Sequence, residues 1–224
     1  MIVLGFDTAT PATAVALRRA DGTIDEDYRE APEGARPLHA QLLLATAAVL
    51  LERAGLDWRQ IDRLAAGVGP GGYTGLRIGL ATARGIAQSS GAELVGVGTL
   101  RALAEPVTGR AAAAVLDARR GEAFVAVYRD GGEEVLPPRT CRPEEIAGLA
   151  LAGGPHTLAI GDGAQRYRES IEGGGIEVAP AASGLHRLSA ASICRLAAAG
   201  NFGPANPDYL RLADAEIALG APVG

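Results

Sequence analysis

The chain has 224 residues, 48% of them hydrophobic but only 4% aromatic, and a formal net charge of -5. That length supports one large domain or two of about 100 residues, with a sizeable core. The acidic balance excludes a generally basic surface, and with it strong autonomous nucleic-acid binding, and no run approaches the roughly 18 apolar residues of a membrane span.

Residues 2–6 are a short apolar run ending at Asp7-Thr8-Ala9-Thr10-Pro11. With residues 13–17 and, after the Asp21-Gly22 turn, residues 24–29, they predict three meandering antiparallel strands. No basic, apolar leader precedes them, which predicts a cytoplasmic protein. Cys141 and Cys194, far apart and outside any Cys-x-x-Cys, read as reduced thiols of that compartment.

The pattern then turns helical. A helix is predicted over residues 37–54, stopped by Gly55. Leu38, Leu42, Ala45 and Val49 make one apolar stripe, and Leu43, Ala47, Leu50 and Ala54 make a second, turned about 120° from the first, so the helix is expected to be buried on two sides. Residues 57–62 read as a linker or short helical turn in which Trp58 packs.

A strand at 64–68 leads into Gly69-Pro70-Gly71-Gly72, which must turn sharply, and then into an amphipathic helix over 74–87 with Thr74 as N-cap. Leu76, Leu80, Ala83 and Ala87 share one face, and Arg77, Arg84 and Gln88 another. Gly75, Gly79 and Gly85 each cost about 1 kcal/mol of helix propensity relative to alanine. The backbone there either packs very closely on its neighbours or keeps its N-terminus open for an anion. A Walker loop is excluded because no lysine follows. Gly67, Gly69 and Gly72 match a dinucleotide spacing with Glu93 downstream, but among 31 glycines that match carries little, and close packing is favoured.

A further strand at 93–97 and a helix at 99–107 follow, with the boundary between two halves at 106–110. Beyond it the opening pattern returns. An apolar strand at 112–116 ends in Asp117-Ala118-Arg119-Arg120-Gly121-Glu122, and a second strand at 123–128 runs to the turn Asp130-Gly131-Gly132. Helices are predicted over 143–151, 165–172 and 188–199, with a strand at 157–160 closing at Gly161-Asp162-Gly163. The segment beginning Pro207-Asp208-Tyr209-Leu210-Arg211 is expected to pack rather than dangle.

The sequence lacks a serine-nucleophile motif, His-Glu-x-x-His and any cysteine with an evident histidine partner, so no residue is assigned as catalytic or as a metal ligand. His39 has leucine at position 43, where a metal pair on one helix wants a second histidine. Asp7, Thr8 and Asp117 are the candidate nucleotide contacts, since each aspartate ends the first strand of its half, where sugar-kinase and actin-like folds meet phosphate and metal. Asp7-Thr8-Ala9-Thr10 has no glycine to bring amides to a phosphate, however, and turn-capping carboxylates are an equal reading.

Phe6-Asp7-Thr8-Ala9-Thr10, Leu38-His39-Ala40-Gln41-Leu42-Leu43, Gly69-Pro70-Gly71, Thr74-Gly75-Leu76-Arg77-Ile78-Gly79-Leu80-Ala81, Asp117-Ala118-Arg119-Arg120-Gly121-Glu122, Gly161-Asp162-Gly163 and Pro207-Asp208-Tyr209-Leu210-Arg211 occur in that order. Together they resemble the bacterial TsaB (YeaZ) family over nearly the whole chain, the phrase from Thr74 to Ala81 being the specific part. The resemblance implies an α/β fold of two actin-like, Hsp70-like lobes (ASKHA, RNase H-like), each a mixed sheet with flanking helices. Lobe one would span residues 1–105 and a smaller lobe two 106–224, with the tail 206–224 returning to lobe one.

The resemblance further implies a non-catalytic scaffold for the paralogue TsaD, working with TsaE. Together they move threonylcarbamoyl from its adenylate, made by TsaC, onto the adenosine beside the anticodon of tRNAs that read ANN codons. tRNA is then reached through the complex, ATP and a divalent metal belong to the partner subunits, no membrane is involved, and the chain pairs with itself when TsaD is absent. TsaD carries His-x-x-x-His on its first long helix, where this chain has His39 and Leu43. The implied partner surface comprises Leu38, His39, Leu42 and Ala45 on one helix and Thr74, Gly75, Leu76, Arg77, Gly79, Leu80, Ala81 and Arg84 on the other. The alternatives are a free-standing actin-like ATPase or small-molecule kinase, and the glycoprotease-like peptidase suggested by older naming of the superfamily.

Overall fold

The computed structural model describes residues 1–31 and 36–210. Its first half runs β1 (Val3–Asp7), β2 (Thr13–Arg18), β3 (Ile24–Arg29), α1 (His39–Ala54), β4 (Arg63–Gly67), α2 (Tyr73–Ser90), β5 (Glu93–Val97) and α3 (Thr99–Ala104). The first three strands form an antiparallel meander, and β4 and β5 join β1 in parallel to give the order β3-β2-β1-β4-β5. The second half repeats this plan. It runs β6 (Ala112–Arg119), β7 (Glu122–Tyr128), β8 (Glu134–Cys141), α4 (Ile146–Ala150), β9 (Leu158–Ile160), α5 (Asp162–Arg166), α6 (Arg168–Gly173), β10 (Glu177–Val178) and α7 (Ala190–Ala198), with sheet order β10-β9-β6-β7-β8. These are the two mixed, helix-flanked sheets of the actin-like class.

Alternation along the strands sorts the core into layers. Leu4, Phe6, Val15, Leu17, Leu64 and Ala66 face outward onto α1 and α2. Val3, Ala14, Ala16, Ala65, Val95 and Val97 face inward, where they share one cluster with α3, α7 and the inner face of the second sheet. Ala113, Val115, Val125 and Val127 cover the far side with α4 and α6.

Several boundaries differ from expectation. The second helix starts at Tyr73 with Gly72 as its N-cap and no side-chain cap, so Thr74 lies inside the first turn. Within 57–62 the expected short helical turn is a 3-10 helix over Trp58–Gln60, closed by an Asp57/Gln60 capping box. The helix expected over 143–151 contains only α4 between 3-10 turns, and that over 165–172 is split at Tyr167 into α5 and α6. β8 and β10 are additional strands. β8 carries Pro137 and Pro138 and lies at the edge of its sheet, where a missing amide donor is tolerated.

The chain returns to the first sheet well before residue 206, since α7 packs on β1 and β2. Gly5 permits the approach, because a Cβ there would lie 2.7 Å from the Cys194 sulfur. Charges from the first sheet hold both ends of α7. Glu26 accepts from the amides of Ala190 (2.5 Å) and Ala191 (3.3 Å) and from the Ser189 hydroxyl (3.1 Å), while Arg63 donates to the Ala197 carbonyl at 2.5 Å. An anion at the amino end and a cation at the carboxyl end both complement the helix dipole. Residues 203–209 continue along lobe one through a Gly96–Gly203 bridge, an Asp208 amide bond to the Val68 carbonyl (2.7 Å) and a Tyr73–Tyr209 ring contact at 5.0 Å. The rest of the expected returning tail, 211–224, lies outside the described residues.

Replacing Glu26 by alanine leaves two buried-end amides without their acceptor and should lower the unfolding free energy by about 1–2 kcal/mol. Urea denaturation of Glu26→Ala beside the parent protein measures it; an unchanged midpoint would show that Ser189 alone suffices as a cap.

Candidate partner surface and the two aspartate turns

The first aspartate turn is packed onto the start of α2. Asp7 and Thr8 are 1% and 2% exposed. The Asp7 carboxylate accepts from the Ala9 amide (2.5 Å) and the Thr99 hydroxyl (2.7 Å), and the Thr99 hydroxyl in turn accepts from the Gly69 amide at 3.1 Å. The Thr8 hydroxyl donates to the Gly75 carbonyl (2.8 Å), and the Gly72 amide donates to the Ala9 carbonyl (2.7 Å). A Cβ on Gly75 would collide with the Thr8 carbonyl, one on Gly79 with the Thr8 hydroxyl, and one on Gly67 with the Asp7 carboxylate. Close packing therefore accounts for Gly75 and Gly79. Gly85 is different, for it is exposed with nothing within 4 Å of where its Cβ would be.

The second aspartate turn gathers residues 45 to 50 positions apart. Asp117 accepts from the Arg119 amide (3.0 Å) and the Tyr167 hydroxyl (3.2 Å), and its own amide donates to Asp162 at 3.1 Å. Burial pushes the Asp162 carboxyl up from its ordinary range, although its amide hydrogen bonds act against that. The sequence marks both Asp117 and Asp162 as acids near strand ends, but it does not show that they meet.

The structure divides the residues expected on the partner surface. His39 is 4% exposed and its Nδ1 lies 2.8 Å from the Thr13 hydroxyl. Gly75, Leu76, Gly79 and Leu80 are buried as well. These five belong to the fold, because the turn and the outer core of sheet one press on that side of α2. Thr74, Arg77, Ala81 and Arg84 are exposed, with Arg77 bonded to the Tyr73 hydroxyl (2.6 Å) and Arg84 reaching the Ala205 carbonyl (3.4 Å).

On α1 only one of the two apolar stripes is covered. Leu43, Ala47 and Leu50 are buried, whereas Leu38 (48% exposed), Ala45 and Val49 (41%) stand in solvent with Leu42 partly buried beside them. Leu44, 51% exposed, projects from another face of α1, about 120° round the helix from this stripe. α1 and α2 pack side by side. Among the described residues no cluster of His, Cys, Asp or Glu could hold a metal ion, and no helix is long and apolar enough to cross a membrane.

Burial pushes the Asp7 carboxyl up to about 6, against the opposing effect of its two hydrogen bonds, from 3.8 in a free aspartate. The folded protein thus takes up a proton as the pH falls through 6, before the unfolded chain does. Stability is gained as pH falls through that window and lost as it rises, the reverse of a salt-bridged aspartate. Between pH 7 and pH 5 Asp7 should add about 1 kcal/mol to the unfolding free energy. Urea denaturation at the two pH values, in the parent and in Asp7→Asn, checks this; an equal pH response in both would contradict it.

A family model described as TsaD, tRNA N6-adenosine threonylcarbamoyltransferase, matches residues 30–195. The tRNA threonylcarbamoyladenosine biosynthesis protein TsaB of Haemophilus influenzae is 30% identical over 188 residues, covering 77% of this chain and 76% of its own length. TsaB of Escherichia coli is 36% identical over 133 residues, 58% of this chain and 55% of its own, so the chain spans about half the length of that relative. The same holds for a Mycobacterium leprae protein, 34% identical over 71% of this chain and 45% of its own. The solved structure of YeaZ from Pseudomonas aeruginosa superimposes with a TM-score of 0.77 and 26% identity, covering 93% of this chain and 99% of that one. Sequence and architecture agree, and the chain belongs to the TsaB (YeaZ) family of tRNA threonylcarbamoyladenosine biosynthesis proteins.

Proposed function

We propose that this chain is a non-catalytic subunit that docks on a TsaD-type transferase and supports its action on tRNA. The reaction is transfer of threonylcarbamoyl from threonylcarbamoyl-AMP to the adenosine beside the anticodon of tRNAs reading ANN codons, in the cytoplasm and with a TsaE-type protein as a further member of the assembly. ATP and a divalent metal are held by those partner subunits. The observation that carries the reading is the uncovered apolar stripe of α1 formed by Leu38, Leu42, Ala45 and Val49, with Leu38 and Val49 in solvent. Each such side chain gains about 1.5–3 kcal/mol on full burial, and exposed apolar patches of this kind mark interaction sites. Gly85 supports it too, since a glycine in mid-helix with open space around it gives a partner helix room for close approach. In the absence of the transferase the same face pairs two copies of the chain.

Val49→Asp and Ala81→Arg place charge on this face without touching the core, unlike changes at Gly79, which would break the Thr8 packing. Each should weaken binding to the TsaD-type partner about a hundredfold, the loss of roughly 3 kcal/mol, leave the unfolding midpoint unchanged and lower tRNA modification in a reconstituted assay. Folded variants that bind and support modification normally would place the surface elsewhere. The isolated chain with ATP, magnesium and manganese should release phosphate at background rate; turnover of even about 1 per second, lost in Asp7→Ala, would favour the actin-like ATPase instead.

A further inference from the structure

We propose that the β6–β7 turn, with Arg119 and Arg120 at its tip and Arg166 beside it, contacts the phosphate backbone of RNA directly; this rests on the reading that the assembly acts on tRNA. Arg119 (φ 66°), Arg120 (φ 55°) and Gly121 (φ 77°) follow one another in the left-handed region. Glycine takes that conformation freely and residues with side chains avoid it. A turn made only for connection would use glycine or asparagine at the first two positions, yet arginines stand there, and strain of this kind concentrates at functional sites.

The charge arrangement points the same way. Guanidinium nitrogens of Arg119 and Arg166 each lie 3.5 Å from the same oxygen of Asp117, whose side chain is 7% exposed while theirs are 64% and 57% exposed. Other ion pairs, such as Arg110–Glu177 and Arg168–Glu172, join one arginine to one carboxylate at 2.8 and 2.7 Å. Asp117 is thus shared by two outward-facing cations at long range, with Asp162, which accepts from the Asp117 amide, a second carboxylate facing Arg119. Both guanidiniums are more than half exposed, Arg166 lying over the Tyr167 ring at 5.8 Å, and each carries the planar fork that suits phosphate oxygens. Two cavities lined by Arg101, Tyr128 and Asn201, among others, do not include this turn. An exposed hairpin tip suits an extended polyanion rather than an enclosed small ligand. With a net charge of -5 the contact is local, reaching two or three phosphates within a larger assembly.

The test uses the full chain assembled with its TsaD-type partner, and reads tRNA affinity against salt concentration. Arg119→Gly with Arg120→Gly relaxes the backbone while removing both charges, and a second variant adds Arg166→Ala. The triple variant should bind tRNA at least tenfold more weakly at about 100 mM salt, with a log–log salt slope shallower by about 2. The double glycine variant should melt no lower than the parent and bind the partner equally well. Unchanged affinity and slope, in an assembly whose parent form binds tRNA, would overturn the turn's role alone. A parent assembly that binds no tRNA would overturn both readings. Loss of binding accompanied by lower melting or loss of the partner would make the turn structural. Loss of ADP binding with tRNA affinity kept would give it to nucleotide phosphates, and either result overturns the proposal.

Discussion

The first lobe depends on how closely the β1–β2 turn lies against the start of α2. That approach exists because four positions around the turn, Gly67, Gly71, Gly75 and Gly79, have no Cβ to collide with it. The polar groups that such close packing strands are satisfied within the protein: the Thr8 hydroxyl by Gly75, the Ala9 carbonyl by Gly72 and the Asp7 carboxylate by Ala9 and Thr99. The expense is a desolvated carboxyl at the centre, tolerated because hydrogen bonds reach both of its oxygens. Since α2 is fixed in this way, its outward side is fixed as well, and with it the surface it shares with α1.

The two lobes are not independent bodies joined by a linker. Their sheets face a common middle layer made of α3 and α7, and residues from both sheets share one apolar cluster there. Arg195 on α7 makes two bonds of 2.7 Å to Glu105 just past α3, so the middle layer is tied along its side as well as its ends. The large apolar side chains this packing leaves exposed include Leu38, Leu44 and Val49 at α1, together with Met1, Leu151, Phe202 and Tyr209 elsewhere, and among the described residues only at α1 do several of them share one helix.

Much of this architecture is legible in the sequence, because period-two apolar runs and a period of 3.6 leave strong marks at β1 to β7, α1 and α2. The failures have physical causes. Two apolar stripes on α1 look alike in a sequence, and only the position of sheet one decides that Leu43 and Leu50 are core while Leu38 and Val49 are surface. The same blindness assigns Gly79 and Leu80 to a partner when the Thr8 turn and sheet one already occupy that side. β8 escapes notice because Pro137 and Pro138 argue against a strand unless it is known to be an edge. The meeting of Asp117 with Asp162 and Tyr167 depends on chain closure over long separations, which no local pattern records.

The packing of α7 on sheet one also sets an order of events during synthesis. β1 leaves the ribosome before α2 and the whole second sheet, yet the helix that covers its inner face is Ala190–Ala198, which follows them all in the chain. Until that helix is made, Val3, Ala14, Ala16 and Val95 have no cover on one side. The nascent first lobe therefore exposes an apolar sheet face while the second lobe is being made, a condition that invites chaperone capture. Completion of the first lobe therefore waits for a helix far downstream of its strands.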